Sequence, residues 1–422
     1  MNNNYKNLIN IHILFFVIVF LFFNSTILSN FIWRLPLFTD FNIPINWLEC
    51  YNLGHNLFTV EKVNCGTNKN ILQFNYGQAF LHVPYNETLD LFYRNILPWI
   101  LIYLFIFTTA KVIDPKNLSE TILVYLSILN PSTLLLLERM QLDCFFYLAI
   151  IFIVYNRIYL INWLIGIYFA LIKFYPISIL ITVFIENKER SIKSICIIIL
   201  FLSILFFGYL YLNYEYYYFM VNNMLPGKAG YHFLYSLNAL SKIFKYIFNI
   251  NYQLLLILFY SFFIYLIIKV VAKINKNTEI LQSIKNSLFT VESKLFLISG
   301  YFNIFLFTLV SSYVYKEVYL ILSLPLILRL KHNNKSKFIY LLYYVIIIRF
   351  LYLFLYSFFN INDGIMFVNN IRVFSNYFLI TISIKAILDF ILLCLLFSIL
   401  YIKTKLYLLH IIKKNVPLKI NN

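Results

Sequence analysis

Long runs of apolar residues, separated by short polar stretches, recur from one end of this chain to the other. Runs of roughly 20 apolar residues predict membrane-spanning helices, because a bilayer's hydrocarbon core is about 30 Å thick and a helix rises about 1.5 Å per residue. The pattern predicts full spans near 10–33, 96–113, 118–137, 142–157, 193–213, 252–274, 294–313, 316–330, 337–358 and 376–402. The runs at 142 and 316 are short, and a few extra residues or a tilt accommodates them. No A-x-A-like cleavage site follows the first run, so it is read as a retained helix and not as a signal peptide. No internal repeat is visible. The expected fold is an all-α, polytopic transmembrane helical bundle, one integral membrane domain over 1–422. It would hold about ten full spans plus a broken re-entrant hairpin.

The hairpin follows from the basic residues. Lys6, then Lys111 and Lys116, then Lys188, Arg190 and Lys193, then Lys269, Lys273, Lys276 and Lys285, then Arg329, Lys331, Lys335 and Lys337, and finally Lys403, Lys405, Lys413, Lys414 and Lys419 alternate with loops poorer in positive charge. Basic loops face the cytoplasm, so these clusters place both termini there. Arg157 and the Lys188 cluster then share a side, and the apolar stretch between them, 158–187, has the wrong parity for one span. Two short helices broken at Lys173-Phe174-Tyr175-Pro176 satisfy the constraint, because proline ends a helix and the residue before it avoids the helical region. Broken helices at membrane depth survive where they are buried in protein or line a wet cavity. Lys173 is therefore either a functional cation at the break or a lysine snorkelling to the interface.

Composition agrees with this pattern. The chain is 62% hydrophobic and 12% charged, where soluble domains carry roughly 25% charged residues. The heavy use of Ile, Phe, Tyr, Asn and Lys reads as an AT-rich coding bias and carries no function. A net charge of +17 would suggest nucleic acid in a soluble chain. Here the cations sit in short loops, so membrane lipids and not nucleic acid are the expected partners.

The unusual sequence falls on the opposite, outer side. The long first outer loop, 34–95, and a second, 214–251, lack obvious regular structure, and loops of that length are usually functional. Cys50 and Cys65 are the only cysteines in the outer segments. Bonded, they would close a loop of roughly 15 residues, worth up to about 3 kcal/mol; two free thiols are the alternative. Cys144, Cys196 and Cys394 lie in apolar runs and read as small buried hydrophobes. Scattered histidines and the absence of clustered Cys/His spacing give no metal site. Asp40 follows the first span closely, where a carboxylate can act as general base on a hydroxyl, or can cap an interfacial helix over 41–53. Asp143, Glu138 and Glu317 compete with it, and Glu138-Arg139 and Lys316-Glu317 also read as ordinary interface pairs. Within the last two spans lie Arg349, Lys385 and Asp389. The last two are four residues apart, so they can pair on one helix face. So few carboxylates at membrane depth argue against ion-coupled transport.

Taken in order, these elements resemble a family. Thr39-Asp40-Phe41 through Leu53-Gly54-His55-Asn56-Leu57-Phe58, Phe74-Asn75-Tyr76-Gly77 with Pro84, Leu137-Glu138-Arg139-Met140-Gln141-Leu142-Asp143, Lys173-Phe174-Tyr175-Pro176 and Tyr315-Lys316-Glu317-Val318-Tyr319-Leu320 are similar to motifs of the GT-C superfamily of membrane glycosyltransferases. More narrowly, the set resembles the bacterial polyprenol-phosphate-mannose-dependent mannosyltransferases over about 35–330. Gly77 stands where the family has Pro, Met140 where it has Gly, and Lys316 where Arg is common. The resemblance implies a hexosyltransferase of the bacterial plasma membrane with its active site on the outer face. Asp40 would be the base. Lys173, Lys316, Arg139 and Lys228 are the candidates for the donor phosphate, and Asp143, Glu138, His55 and Tyr76 are further site positions. It implies a polyprenyl-phosphate sugar as donor, a glycan or glycolipid as acceptor, and no cofactor. No nucleotide-binding glycine loop is present. Tyr214, Tyr216, Tyr217 and Tyr218 would stack on sugar or lipid, or form an interface belt. A lipid-linked glycan flippase and an O-antigen-type polymerase or ligase are the competing classes. The uniformly apolar spans and the early outer loop disfavour them.

Overall fold

The computed structural model describes residues 3–24, 37–58, 74, 76–173, 175–182, 192–223, 234–235, 237–309, 312–334, 336–360, 365–368, 371–374 and 376–415. Within them the fold is helical, with two short antiparallel ladders: Leu234–Tyr235 with Ser312–Tyr313, and Ile365–Val368 with Ile371–Phe374. The described parts of the apolar runs fall mostly on helix, although Ser312–Tyr313, at the end of the run 294–313, is strand. Among the described residues, Lys193–Leu212, Tyr252–Lys276 and Ile380–Lys413 are long and apolar enough to cross a membrane. Two bent pairs raise the number to as many as 5: Glu87–Asn95 with Leu97–Ile113, bent by 43°, and Leu118–Ile128 with Pro131–Arg139, bent by 48°. The run at 294–313 is a helix, Val291–Ile304, that passes into a π turn; the run at 316–330 is a 3-10 helix, Val314–Ser323, joined to Leu324–Asn333.

The second bend has a local cause. Pro131 carries no N–H to donate to the carbonyl of Ser127 four residues back, so the helix cannot run through. Thr133 Oγ1 donates to that carbonyl instead, at 2.9 Å, and Asn130 Oδ1 accepts from Ser132 N at 2.8 Å. The polar side chains at the break thus replace the lost helical bonds, which is what a buried break requires.

Two compact units make up the chain. One comprises Met1–Leu35, Ile106–Leu136 and Ala229–Leu408. The other comprises Pro36–Phe105, Leu137–Lys228 and Leu409–Asn422. The first contains a closed set of buried charges. Glu317 Oε1 accepts from Lys385 Nζ at 3.0 Å, and Glu317 Oε2 meets the Arg349 guanidinium and accepts from Ser132 Oγ at 3.2 Å. Asp389 accepts from Arg349 Nε at 2.7 Å and from Lys385 Nζ at 2.8 Å. The Lys385–Asp389 pair was expected; its extension to Glu317 and Arg349 was not. Glu317 is therefore a second deeply buried carboxylate, not half of an interface pair with Lys316. A separate group surrounds Glu120, which accepts from Lys116 N at 2.9 Å and Asn117 Nδ2 at 2.8 Å and has His332 Nε2 at 3.0 Å.

In the second unit, the Thr39–Asn52 helix packs its buried face, Phe41, Ile45, Trp47, Leu48 and Cys50, against the rest of the unit. Phe38 stands edge-on to Trp99, and Trp47 edge-on to Phe74 and Tyr76, with centroids 5.0–5.2 Å apart. Such contacts add to area burial. Arg94, on the Glu87–Asn95 helix, ties that helix to this one through Asn46 at 2.8 Å and Glu49 at 3.2 Å, and pairs with Asp90 of its own helix at 2.7 Å. Cys50 is disulfide-bonded, while Cys65 lies outside the described residues. Cys144 and Cys394 are buried free thiols, but Cys196 is exposed on its helix, contrary to the expectation that all three are buried.

Candidate functional site

The expected interfacial helix begins two residues earlier than the sequence suggests, at Thr39, and Asp40 does not cap it. Phe38 occupies the cap position in a left-handed conformation, φ 60°, and contributes no side-chain cap. Its amide donates to the Glu138 carbonyl at 2.8 Å. That bond seats Asp40 in the first helical turn opposite the end of the Pro131–Arg139 helix. A carboxylate in a first turn is favoured by the helix dipole. Pro44 lies within the helix, four residues after Asp40, so the Asp40 carbonyl receives no helical bond from residue 44.

The segment facing Asp40 reverses direction sharply. Met140 adopts φ 48°, a conformation glycine takes freely and a side chain seldom does. The turn presents Arg139 and Gln141 to Asp40 from either side of Met140. Arg139 Nη1 lies 3.5 Å from Asp40 Oδ2, and Gln141 Nε2 donates to the same oxygen. The Asp40 side chain remains 19% exposed, and so does that of Arg139. Burial nevertheless dominates Asp40 and raises its pKa above 3.8, against the lowering effects of Arg139, Gln141 and Lys173.

Lys173 enters from the break in the proposed hairpin. The helix Tyr159–Ile172 ends at Lys173, which is extended, φ −140°, and a 3-10 helix over Tyr175–Ile181 packs back on it, with Ile179 and Leu180 against Gly166. Helix ends leave carbonyls without partners. Here Gly77 N donates to Ile172 O, and Tyr217 OH donates to Leu171 O, both at 2.9 Å. A Cβ at Gly77 would fall 1.7 Å from Leu171 O, so no side chain fits. Proline there would also lack the donating N–H. Lys173 Nζ lies 3.4 Å from Asp143 Oδ2, and 4.8 Å above the Tyr76 ring. Asp143, at the start of its own helix, is fully buried. Lys173 is thus an ion-paired, aromatic-covered cation, not a snorkelling one.

Of the residues singled out in the sequence, Asp40, Glu138, Arg139, Asp143, Lys173 and Tyr76 come together in this unit. His55 does not join them: it is exposed, its amide bonded to the Cys50 carbonyl at 3.0 Å. Lys316 is buried in the other unit, and Lys228 lies outside the described residues. Tyr217 is buried as a structural donor, whereas Tyr214, Tyr216 and Tyr218 are exposed. Glu138 and Arg139 do not pair as an interface couple; Arg139 turns to Asp40. Gln141, quoted within the 137–143 segment but given no role there, also joins the group. Its position two residues before Asp143 in a polar turn was the available signal. Among the described residues, no group of three or more His, Cys, Asp or Glu is placed to hold a metal ion. No family model, characterised protein or solved structure significantly matches this chain.

Proposed function

We propose that this chain is a membrane glycosyltransferase of the GT-C kind. In this reading a bundle of about ten spans with cytoplasmic termini, in a bacterial plasma membrane, presents the Asp40 group at its outer face. The enzyme moves a hexose, mannose by resemblance, from a polyprenyl-phosphate donor to a hydroxyl of a glycan or glycolipid. Asp40 removes the proton of the acceptor hydroxyl. That oxygen's electron pair attacks the anomeric carbon from the face opposite the phosphate. The bond from the anomeric carbon to the phosphate oxygen breaks, the lipid phosphate departs with its electrons, and the sugar inverts. Cations stabilise the departing phosphate, and Lys173 stands in the same group as Asp40.

The observation that carries the proposal is the inequality among the carboxylates. Asp143 is sealed on Lys173, whereas the Asp40 side chain is 19% exposed and accessible to a substrate. Burial keeps Asp40 a stronger base than an ordinary carboxylate, and the bonds from Gln141 and Arg139 aim it. The test is transfer of radiolabelled sugar from polyprenyl-phosphate donors in membranes holding the full chain. Asp40→Asn should abolish transfer while the protein still inserts. Full transfer by that variant would overturn the base assignment, and transfer without any lipid-phosphate donor would overturn the donor class.

A further inference from the structure

Not every buried polar atom around Asp40 is satisfied. Glu138 Oε2 and Arg139 Nε are closed off from the surface, and neither has a hydrogen-bond partner among the described residues. They belong to consecutive residues at the end of one helix, and Glu138 feels the charges of both Arg139 and Asp40. Glu138 as a whole is 3% exposed. Burying a carboxylate oxygen without a partner is costly, and such an orphan in a native fold calls for an explanation. The same chain saturates carboxylates elsewhere: every carboxylate oxygen of Glu317 and Asp389 meets a cation.

The two orphans differ in kind. An ionised carboxylate only accepts hydrogen bonds, and a guanidinium only donates them. An ionised phosphate also only accepts, so it cannot satisfy an ionised Glu138, and it is repelled by Asp40. A hydroxyl donates and accepts, which suits both atoms. We propose that Glu138 and Arg139 grip a hydroxyl of the transferred hexose, Glu138 Oε2 accepting and Arg139 Nε donating. The proposal rests on the glycosyl-transfer reading above and deepens it. It also moves Arg139 from the phosphate to the sugar. Because Arg139 Nη1 stays beside Asp40, one guanidinium then links the gripped sugar to the base.

The test compares affinities of the full-length chain in lipid nanodiscs for polyprenyl-phosphate mannose, polyprenyl-phosphate glucose and bare polyprenyl phosphate. The wild-type chain should prefer one sugar-bearing lipid over the bare one. Glu138→Ala should cut that preference roughly 10- to 100-fold, the weight of hydrogen bonds to a charged group, and leave affinity for the bare lipid unchanged. Glu138→Gln keeps the volume and one acceptor oxygen, so it should fold as the wild type does and lose less. An unchanged preference in both variants overturns the proposal, and so does an equal loss for all three lipids, which marks a role in folding or phosphate binding. If the wild type transfers sugar while Glu138→Ala keeps its preference, the glycosyltransferase reading survives and this inference does not. A wild type that neither transfers nor prefers a sugar-bearing lipid removes both.

Discussion

The two buried charge groups of this protein use the same side-chain types to opposite effect. Around Glu317, Arg349, Lys385 and Asp389, two anions face two cations, every carboxylate oxygen has a cationic partner, and no side chain is more than 4% exposed. Around Asp40, three carboxylates face two cations, one carboxylate is accessible, and an acceptor and a donor go unmet. The ring is neutral and its carboxylates are fully paired, and its unmet atoms are guanidinium nitrogens of Arg349 in a group with no accessible member. An open, unevenly satisfied group retains binding capacity, and its unmet atoms indicate what it would bind. Burial of charge by itself is therefore no mark of a site; incomplete pairing next to an accessible group is the better one.

The largest effect expected is at the open group: Asp40→Asn should reduce transfer on the order of 10²–10⁴-fold, the contribution of a positioned base, with detergent-solubilised protein unfolding at the wild-type temperature. If stability fell with activity, Asp40 would belong with the ring and the contrast would fail. At the ring the balance reverses. Arg349→Met strands two carboxylates against one lysine and should cost about 3–5 kcal/mol of stability. Thermal unfolding reads this, and adding Asp389→Leu, which restores charge balance with Glu317 and Lys385, should recover part of the loss. A smaller, finer test is the pH profile. The base must be deprotonated, so transfer should fall as pH drops through the Asp40 pKa. Because burial raises that pKa, the acidic limb should lie above 3.8; a limb at or below it would show that a different carboxylate is the base. The least effect is expected at the partly exposed Arg94 cluster. There Arg94→Ala should cost about 1 kcal/mol or less by thermal unfolding, as partly exposed pairs usually do, and leave transfer unchanged.

Much of this arrangement is legible in the chain. Apolar runs fall mostly on helix because local burial pattern and intrachain hydrogen bonding decide helix formation. The end of a helix at Ile172 before Pro176 follows from a missing N–H and a steric clash, both local. The Lys385–Asp389 pair follows from helical spacing alone. Less was legible where contacts join distant segments. Nothing in Glu317 itself indicates that it meets Lys385 and Arg349, and the early start of the Thr39–Asn52 helix depends on the bond from Phe38 to Glu138. The Met140 turn was visible as a polar interruption, but its left-handed backbone was not, because methionine carries no local preference for it.

By itself, then, the sequence determined the helical class, the breaks at proline and the roster of charged residues, since these depend on composition, period and the covalent properties of each residue. Only the tertiary structure decided how those charges are shared. Arg139 and Gln141 reach Asp40 from about a hundred residues away, Lys173 reaches Asp143, and Glu317 leaves its sequence neighbour Lys316 for Arg349 and Lys385. The physical reason is that a buried charge takes whichever partner the packed fold brings within a few ångströms, and the low dielectric makes that choice dominate over nearness along the chain.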